Sequence, residues 1–158
     1  MTAPVVALQA CLEKELRLMG EFLQILEEEA KVLEEGATES ALAETTTRKN
    51  AIADALATSA AERNAALSEM GLEADGPGLS AAADAHPALA GLRRELLSAT
   101  ERAREQNEAN GRIIEVFLEH NQRTLDTLRR LTGVGDIYDA SGKTRPGNKG
   151  SSRNIKAG

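Results

Sequence analysis

The strongest hydrophobic pattern of the chain lies in a proline-free stretch from Ala88 to Thr132. Its apolar residues recur at three- and four-residue steps, which places them on one side of an α-helix. At about 1.5 Å per residue, such a helix is roughly 65 Å long. The sequence therefore predicts one long helix at 88–132 that needs neighbours to bury Leu89, Leu92, Leu96, Ala103, Ile113, Phe117, Leu128 and Leu131.

The C-terminal part of this helix is apolar over a wide sector. At about 100° per residue, its apolar side chains spread over roughly 140° of the circumference, more than one coiled-coil contact uses. The sector also contains Asn107, Asn110 and Asn121. It is either a wide core face with three hydrogen-bonded amides or a face of which one part binds another chain. Its apolar members are Ile113, Ile114, Phe117, Leu118, Leu125, Leu128 and Leu131.

A second pattern predicts a helix from about Pro4 to Glu35. Proline suits the first turn, where its missing N–H donor is no loss, and Gly36 is placed to end the helix. Heptad spacing predicts a buried seam of Leu12, Leu16, Met19, Leu23, Leu26, Ala30 and Leu33. Five glutamates lie outside that seam, so we expect them on a solvated face: Glu27, Glu28, Glu29, Glu34 and Glu35.

The third predicted helix, at about 39–70, has the weakest apolar side. Thr38 is a candidate N-cap. Lys49 and Arg63, like Thr45 and Ser59, interrupt the apolar side, and we expect the two cations to lay their stems along the core edge with their charges in water. The apolar side itself is marked by Leu42, Ile52, Leu56, Leu67 and Met70.

Glycine and proline mark the connections. Gly71 and the DGPG run of residues 75–78 predict a loop that leads into the long helix. Residues 133–158 are rich in Gly and Ser and poor in large apolar residues, which predicts a disordered tail. The fold prediction is therefore all-α, an elongated antiparallel three-helix bundle or coiled coil at 1–132 followed by a flexible basic tail at 133–158.

Composition and charge narrow the class of protein. The 158 residues include two Phe, one Tyr and no Trp, as is typical of a helical bundle with a core of small residues. Five basic and no acidic residues follow Asp139, which leaves an acidic body with 14 basic against 25 acidic residues. An acidic body argues against nucleic acid as the main ligand. No stretch has the pattern of a signal peptide or membrane span, so we expect a cytoplasmic protein.

No group of residues predicts catalysis or metal binding. His86 and His120 lack the spacing of zinc or di-iron ligands. Cys11 is the only cysteine and has no base beside it in the sequence. We therefore expect a protein without enzymatic activity, cofactor or metal, whose function is to bind other proteins.

Several local motifs resemble the FlgN family of flagellar type III export chaperones. They are the segment 107–114 (NEANGRII), Lys49 and Arg63 on the middle helix, the Met70-Gly71 step that closes it, and the element 137–142 (IYDASG). The resemblance extends from the first helix to Gly142. The alanine-rich middle helix and the basic end after Thr144 depart from the family pattern.

This resemblance implies a cytoplasmic chaperone that binds the hook-filament junction proteins FlgK and FlgL by their C-terminal helical segments. It further implies delivery to the export gate component FlhA, with Tyr138, beside Ile137, at the position of the family's gate-docking tyrosine. We predict that one substrate binds one chaperone monomer along a strip of the long helix. The strip consists of Ile114, Phe117, Leu118, Asn121, Leu125 and Leu128.

Two other functions are compatible with the sequence. The heptads from Leu12 to Leu33 fit a coiled-coil protein that associates with itself, and the basic end at 143–158 fits an adaptor on nucleic acid or an anionic membrane.

Gly111, in the middle of the long helix, has two possible structural roles. It permits close packing, which we expect, or it softens the helix so that a substrate can be wrapped.

Overall fold

The computed structural model describes residues 2–36 and 38–132, with the backbone alone for Thr132. These residues form four helices, α1 (Ala3–Glu34), α2 (Glu39–Glu69), α3 (Asp75–Ala85) and α4 (Pro87–Thr132). They contain no β-strand, and the all-α prediction is confirmed. The predicted tail at 133–158 lies outside the part of the chain that is described.

The ends of α1 and α2 follow the predicted signals. Gly36, after the end of α1, has a φ of +85°, a left-handed conformation that glycine adopts without strain. The Thr38 hydroxyl accepts the Ala41 N–H at 3.1 Å and caps α2. At the other end of α2, the Leu72 N–H donates to the Leu67 carbonyl, which is the long bond of a Schellman motif around Gly71.

The prediction of a loop between α2 and the long helix is wrong, because this stretch contains the short helix α3. Leu79, Ala82 and Ala83 are buried, so tertiary packing holds a segment whose Gly and Pro content disfavours a helix. Asn64 fixes its start by accepting the Asp75 N–H at 2.9 Å and donating to the Asp75 carboxylate at 3.1 Å. An added Cβ at Gly78 would lie 1.6 Å from the Glu73 carbonyl oxygen, so only glycine fits there.

The chain separates into two compact units, Met1–Asn110 and Gly111–Gly158, and the boundary falls within α4. The first unit has a core to which all four helices contribute. Leucine, valine and alanine fill this core, in agreement with the composition. Its buried members are Val5, Leu8, Leu12, Ala66, Leu67, Leu79, Ala82, Leu89 and Leu96. The described part of the second unit is the segment of α4 that begins at Gly111.

Helices α1 and α2 form an antiparallel hairpin. Lys14 near the start of α1 pairs with Glu62 near the end of α2, at 3.1 Å. Glu28 near the end of α1 pairs with Arg48, nearer the start of α2. Because these side chains are partly exposed, the two pairs contribute little free energy, but they report the alignment of the two helices.

Two buried ion pairs correct the predicted surface of this hairpin. Glu15 pairs with Arg63, and Glu29 pairs with Lys49 at 3.1 Å. Glu29 is fully buried, so its prediction as solvated is wrong, and the two cations direct their charges inward rather than into water. Burial raises the pKa of Glu15, and the guanidinium of Arg63 opposes this shift. The pairs are two heptads apart on both helices, which favours one register over its neighbours.

The buried side of α1 is therefore displaced from the predicted leucine seam. Leu12 and Leu26 are buried as predicted, whereas Leu16, Leu23 and Leu33 are only half-buried. Glu15 and Glu29, neither of which belongs to the predicted seam, are buried. Hydrophobic spacing alone missed this, because the burial of each glutamate depends on a cation from α2.

Candidate functional site

A polar cluster attaches α4 to the hairpin at the end of the first unit. The buried Asn110 amide donates to the Leu26 carbonyl at 2.9 Å and to the Glu29 carboxylate at 3.0 Å. Lys49 donates to the Asn107 side chain at 3.1 Å. Asn110 thus fits the interpretation as a hydrogen-bonded amide of a core face, whereas Asn107 is hydrogen-bonded but exposed.

The cluster also shows the direction of α4 within the first unit. Leu96, in the earlier part of α4, shares the hydrophobic core with Leu12 of α1. Asn110, further along α4, contacts Leu26, further along α1. The part of α4 that belongs to this unit therefore runs parallel to α1 and antiparallel to α2.

The six predicted substrate-binding residues all lie after this attachment, on the segment of α4 in the second unit. Leu118 is 41% exposed and Leu128 is 48% exposed. The other four are half-buried: Ile114, Phe117, Asn121 and Leu125. None is fully buried, although five of the six are large and apolar. We call these six residues the front stripe, and their role in binding stays a prediction.

Exposed apolar side chains are concentrated on the same segment. Among the described residues, seven large hydrophobic side chains are exposed, and five of them lie between 113 and 131. Besides Leu118 and Leu128 these are Ile113 at 49%, Val116 at 65% and Leu131 at 78%. Such a local concentration on a helix is typical of a surface that binds another protein.

The front stripe repeats the helical spacing of the core side of α4 in the first unit. Eighteen residues make about five turns, so residues 18 positions apart occupy equivalent positions in the helical repeat. Ile114 thus corresponds to the buried Leu96, and Phe117 to the buried Ala99. Equivalent helical positions are buried in the first unit and partly exposed in the second.

Sequence reasoning missed Val116. It lies outside the predicted 140° sector, and Ile113 and Leu131, which lie at the edge of that sector, were left out of the predicted site. A search for apolar residues three or four positions apart, rather than for one contiguous sector, includes Val116 because it follows Ile113 by three residues.

Gly111 is not needed for close packing, contrary to our expectation. An added Cβ at this position meets no atom within 4 Å. The residue follows Asn110 directly and stands at the start of the second unit. The alternative explanation, a locally softer helix, is therefore favoured, since glycine lowers helix stability by about 1 kcal/mol relative to alanine.

The titratable residues singled out in the sequence do not come together. Cys11 is half-buried, and burial raises the pKa of its thiol, with the Glu62 carboxylate adding to the shift. His86 follows α3, and His120 is exposed on α4. Within residues 2–36 and 38–132, no group of three His, Cys, Asp or Glu side chains is placed to hold a metal ion. No helix within residues 2–36 and 38–132 is both long enough and apolar enough to cross a membrane.

The predicted gate-docking residues Ile137 and Tyr138 lie outside the described residues, so their role stays a prediction. Comparison with protein families shows that the family model described as FlgN protein matches residues 1–146. No match to the chain was found among curated proteins or among solved structures. The matched residues include both units as far as they are described and the predicted gate-docking residues.

Proposed function

Since the chain belongs to the FlgN family of flagellar export chaperones, we propose that it binds the hook-filament junction proteins FlgK and FlgL. It captures their C-terminal helical segments, prevents premature assembly and delivers them to FlhA, acting in the cytoplasm as a monomer that binds one substrate. Ile137 and Tyr138 are the proposed gate-docking residues. The observation that carries the proposal is the concentration of exposed apolar side chains between 113 and 131.

The front stripe has the chemistry that an amphipathic helix requires. Complete burial of four side chains such as Ile114, Leu118, Leu125 and Leu128 contributes roughly 6 to 12 kcal/mol to the free energy of binding, before opposing costs are subtracted. Partial burial of these side chains in the free chaperone makes the gain smaller. The entropy lost on association and on ordering of the substrate reduces the net binding free energy further. A modest net affinity suits a chaperone that must release its substrate at the gate.

Aspartate substitutions test the proposed site. Leu118→Asp combined with Leu125→Asp should abolish capture of FlgK and FlgL in a pull-down, because a carboxylate cannot be buried against an apolar helix without a partner. Leu97→Asp is the matched control, since Leu97 is also on α4 and is 50% exposed, but lies in the first unit. It should leave capture unchanged. Unchanged capture by the double variant, with helicity retained in circular dichroism, would exclude the front stripe as the site.

Self-association through α1 is less well supported. Leu12 and Leu26, two members of the proposed dimer seam, are buried within the first unit. Sedimentation of the purified chain distinguishes the two functions. A monomer that forms a 1:1 complex with FlgK fits the chaperone, whereas a stable dimer that does not respond to FlgK fits a self-associating protein.

A further inference from the structure

The charged residues of α4 in the second unit are restricted to one side. At about 100° per residue, they fall within roughly 120° of the circumference. The remaining two thirds carry no Asp, Glu, Lys or Arg. The charged side consists of Arg112, Glu115, Glu119, Arg123, Asp126, Arg129 and Arg130. Since an amphipathic helix with one neighbour needs an apolar stripe of about 100°, this segment has more uncharged surface than one neighbour covers.

The extra uncharged surface forms a second stripe beside the front stripe. Its six residues follow one another at steps of three or four, and all six are exposed. We call it the side stripe: Ile113, Val116, His120, Thr124, Thr127 and Leu131. Three of the six are large and apolar, and these are also the three most exposed of the large hydrophobic residues of the segment.

The same side of α4 is polar in the first unit. Five turns earlier, the residues that correspond to Ile113 and Val116 are Glu95 and Ser98. Glu95 and Ser98 line a groove together with Arg94 and Arg102 of α4 and Leu16 of α1. The same helical positions of α4 are therefore polar or charged in the first unit, whereas in the second unit they carry no Asp, Glu, Lys or Arg.

We propose that the partner places two helices on the second unit, one along the front stripe and one along the side stripe. The inference deepens the proposed function, on which it rests, by defining the substrate as a pair of amphipathic helices from one junction protein. Both contact faces of that pair are apolar or uncharged, because neither stripe has an Asp, Glu, Lys or Arg to pair with a charge. The substrate charges lie away from α4, in solvent.

A labelled chaperone tests for contact on both stripes. Val116→Cys on the side stripe, Leu118→Cys on the front stripe and Glu119→Cys on the charged side are each made in a Cys11→Ala background and labelled with an environment-sensitive fluorophore. Addition of full-length FlgK should shift the emission at 116 and at 118 to the blue and leave 119 unchanged. A shift at 118 alone would overturn the proposal. A label at 116 that is already buried before FlgK is added would overturn it too, since a second copy would then cover the side stripe.

A charge-matched pair of variants tests the side stripe without labels. Ile113→Lys with Val116→Lys adds two positive charges to the side stripe, and Glu115→Gln with Glu119→Gln raises the net charge by the same amount on the charged side. Lysine favours the helix at least as well as the residues it replaces, so folding should be retained. The lysine pair should weaken FlgK binding by at least about tenfold, and the glutamine pair should leave it within about twofold. Equal binding by both pairs would remove the second helix from the proposal.

The two proposals fail in different ways. If the unmodified chaperone captures neither FlgK nor FlgL, the proposed function itself is wrong. If it captures them, and the front-stripe aspartates abolish capture while the lysine pair has no effect, the function stands and the substrate contributes one helix only.

Discussion

Helix α4 belongs to both units, and its two parts use the same apolar spacing differently. Before Asn110, Leu89, Leu96 and Ala103 are buried in the core of the first unit. After Gly111, the apolar residues at the same spacing are half-buried or exposed. Further apolar residues, Ile113 and Val116, stand at helical positions that Glu95 and Ser98 occupy in the first unit. The comparison shows that periodicity identifies the side of a helix that prefers burial but does not identify what buries it.

The two parts also differ in how they place charge. The first unit contains buried ion pairs that join α1 to α2. In the second unit, the Arg123–Glu119 pair is highly exposed, with N and O 3.6 Å apart, and the Arg129–Asp126 pair is partly exposed. A buried charge depends on its partner, and an exposed charge is stabilised by water. Equal substitutions should therefore have unequal effects in the two units.

The largest effect is expected at the buried pair. Arg63→Met leaves Glu15 buried without its main partner and should lower the free energy of unfolding by about 3 to 5 kcal/mol. The matched variant Arg123→Met removes one exposed surface pair and should cost less than about 1 kcal/mol. Urea denaturation followed by circular dichroism measures both.

The double variant Glu15→Leu with Arg63→Met is the control for that result. It replaces both charges by apolar side chains of similar size and should restore stability to near or above that of the unchanged protein. A cost below about 1 kcal/mol for Arg63→Met alone would instead mean that water reaches the pair.

A slightly smaller contrast is expected between two leucines of α4. Leu96→Ala removes a buried side chain from the core and should cost about 2 to 5 kcal/mol. Leu118→Ala, at a position 41% exposed, should cost less than about 1 kcal/mol in stability. Thermal and urea unfolding of the two variants give the comparison. Similar costs for both would show that the second unit buries Leu118 in a core of its own.

The smallest effect is expected at the unit boundary. Gly111→Ala meets no steric obstacle and should stabilise the helix by up to about 1 kcal/mol. Hydrogen exchange of the amides around residue 111 should slow accordingly. Gly78→Ala is the contrasting variant, because its Cβ would collide with the Glu73 carbonyl, and it should destabilise the protein. A destabilising Gly111→Ala would restore the explanation by close packing.

Much of the fold could be predicted because its signals are local. Pro4, Gly36 and Thr38 mark helix ends through backbone geometry and capping, which depend on neighbouring residues only. The bounds of α1, α2 and α4 are accordingly within one or two residues of the prediction. Helix α3 was missed because it is stabilised by burial of Leu79 and Ala82 and by Asn64, which are contacts with the rest of the unit.

The candidate site could be predicted in part, because apolar spacing along a helix is also a local signal. Apolar spacing identified the front stripe, including Leu118 and Leu125, but spacing does not reveal exposure. Val116 was missed because it lies outside the sector, and only its exposed surface next to Ile113 shows that the uncharged area is wider than one stripe.

By itself, the sequence determined helices α1, α2 and α4, the small-residue composition of the core and the side of α4 that prefers burial, since each depends on spacing and on the properties of single residues. The tertiary structure decided that Glu29 is buried, that Asn110 attaches α4 to α1, and that the apolar side of α4 remains accessible after Gly111. These facts depend on which residues meet across the bundle. A carboxylate or amide is stable in a core only where a distant part of the chain provides its partner.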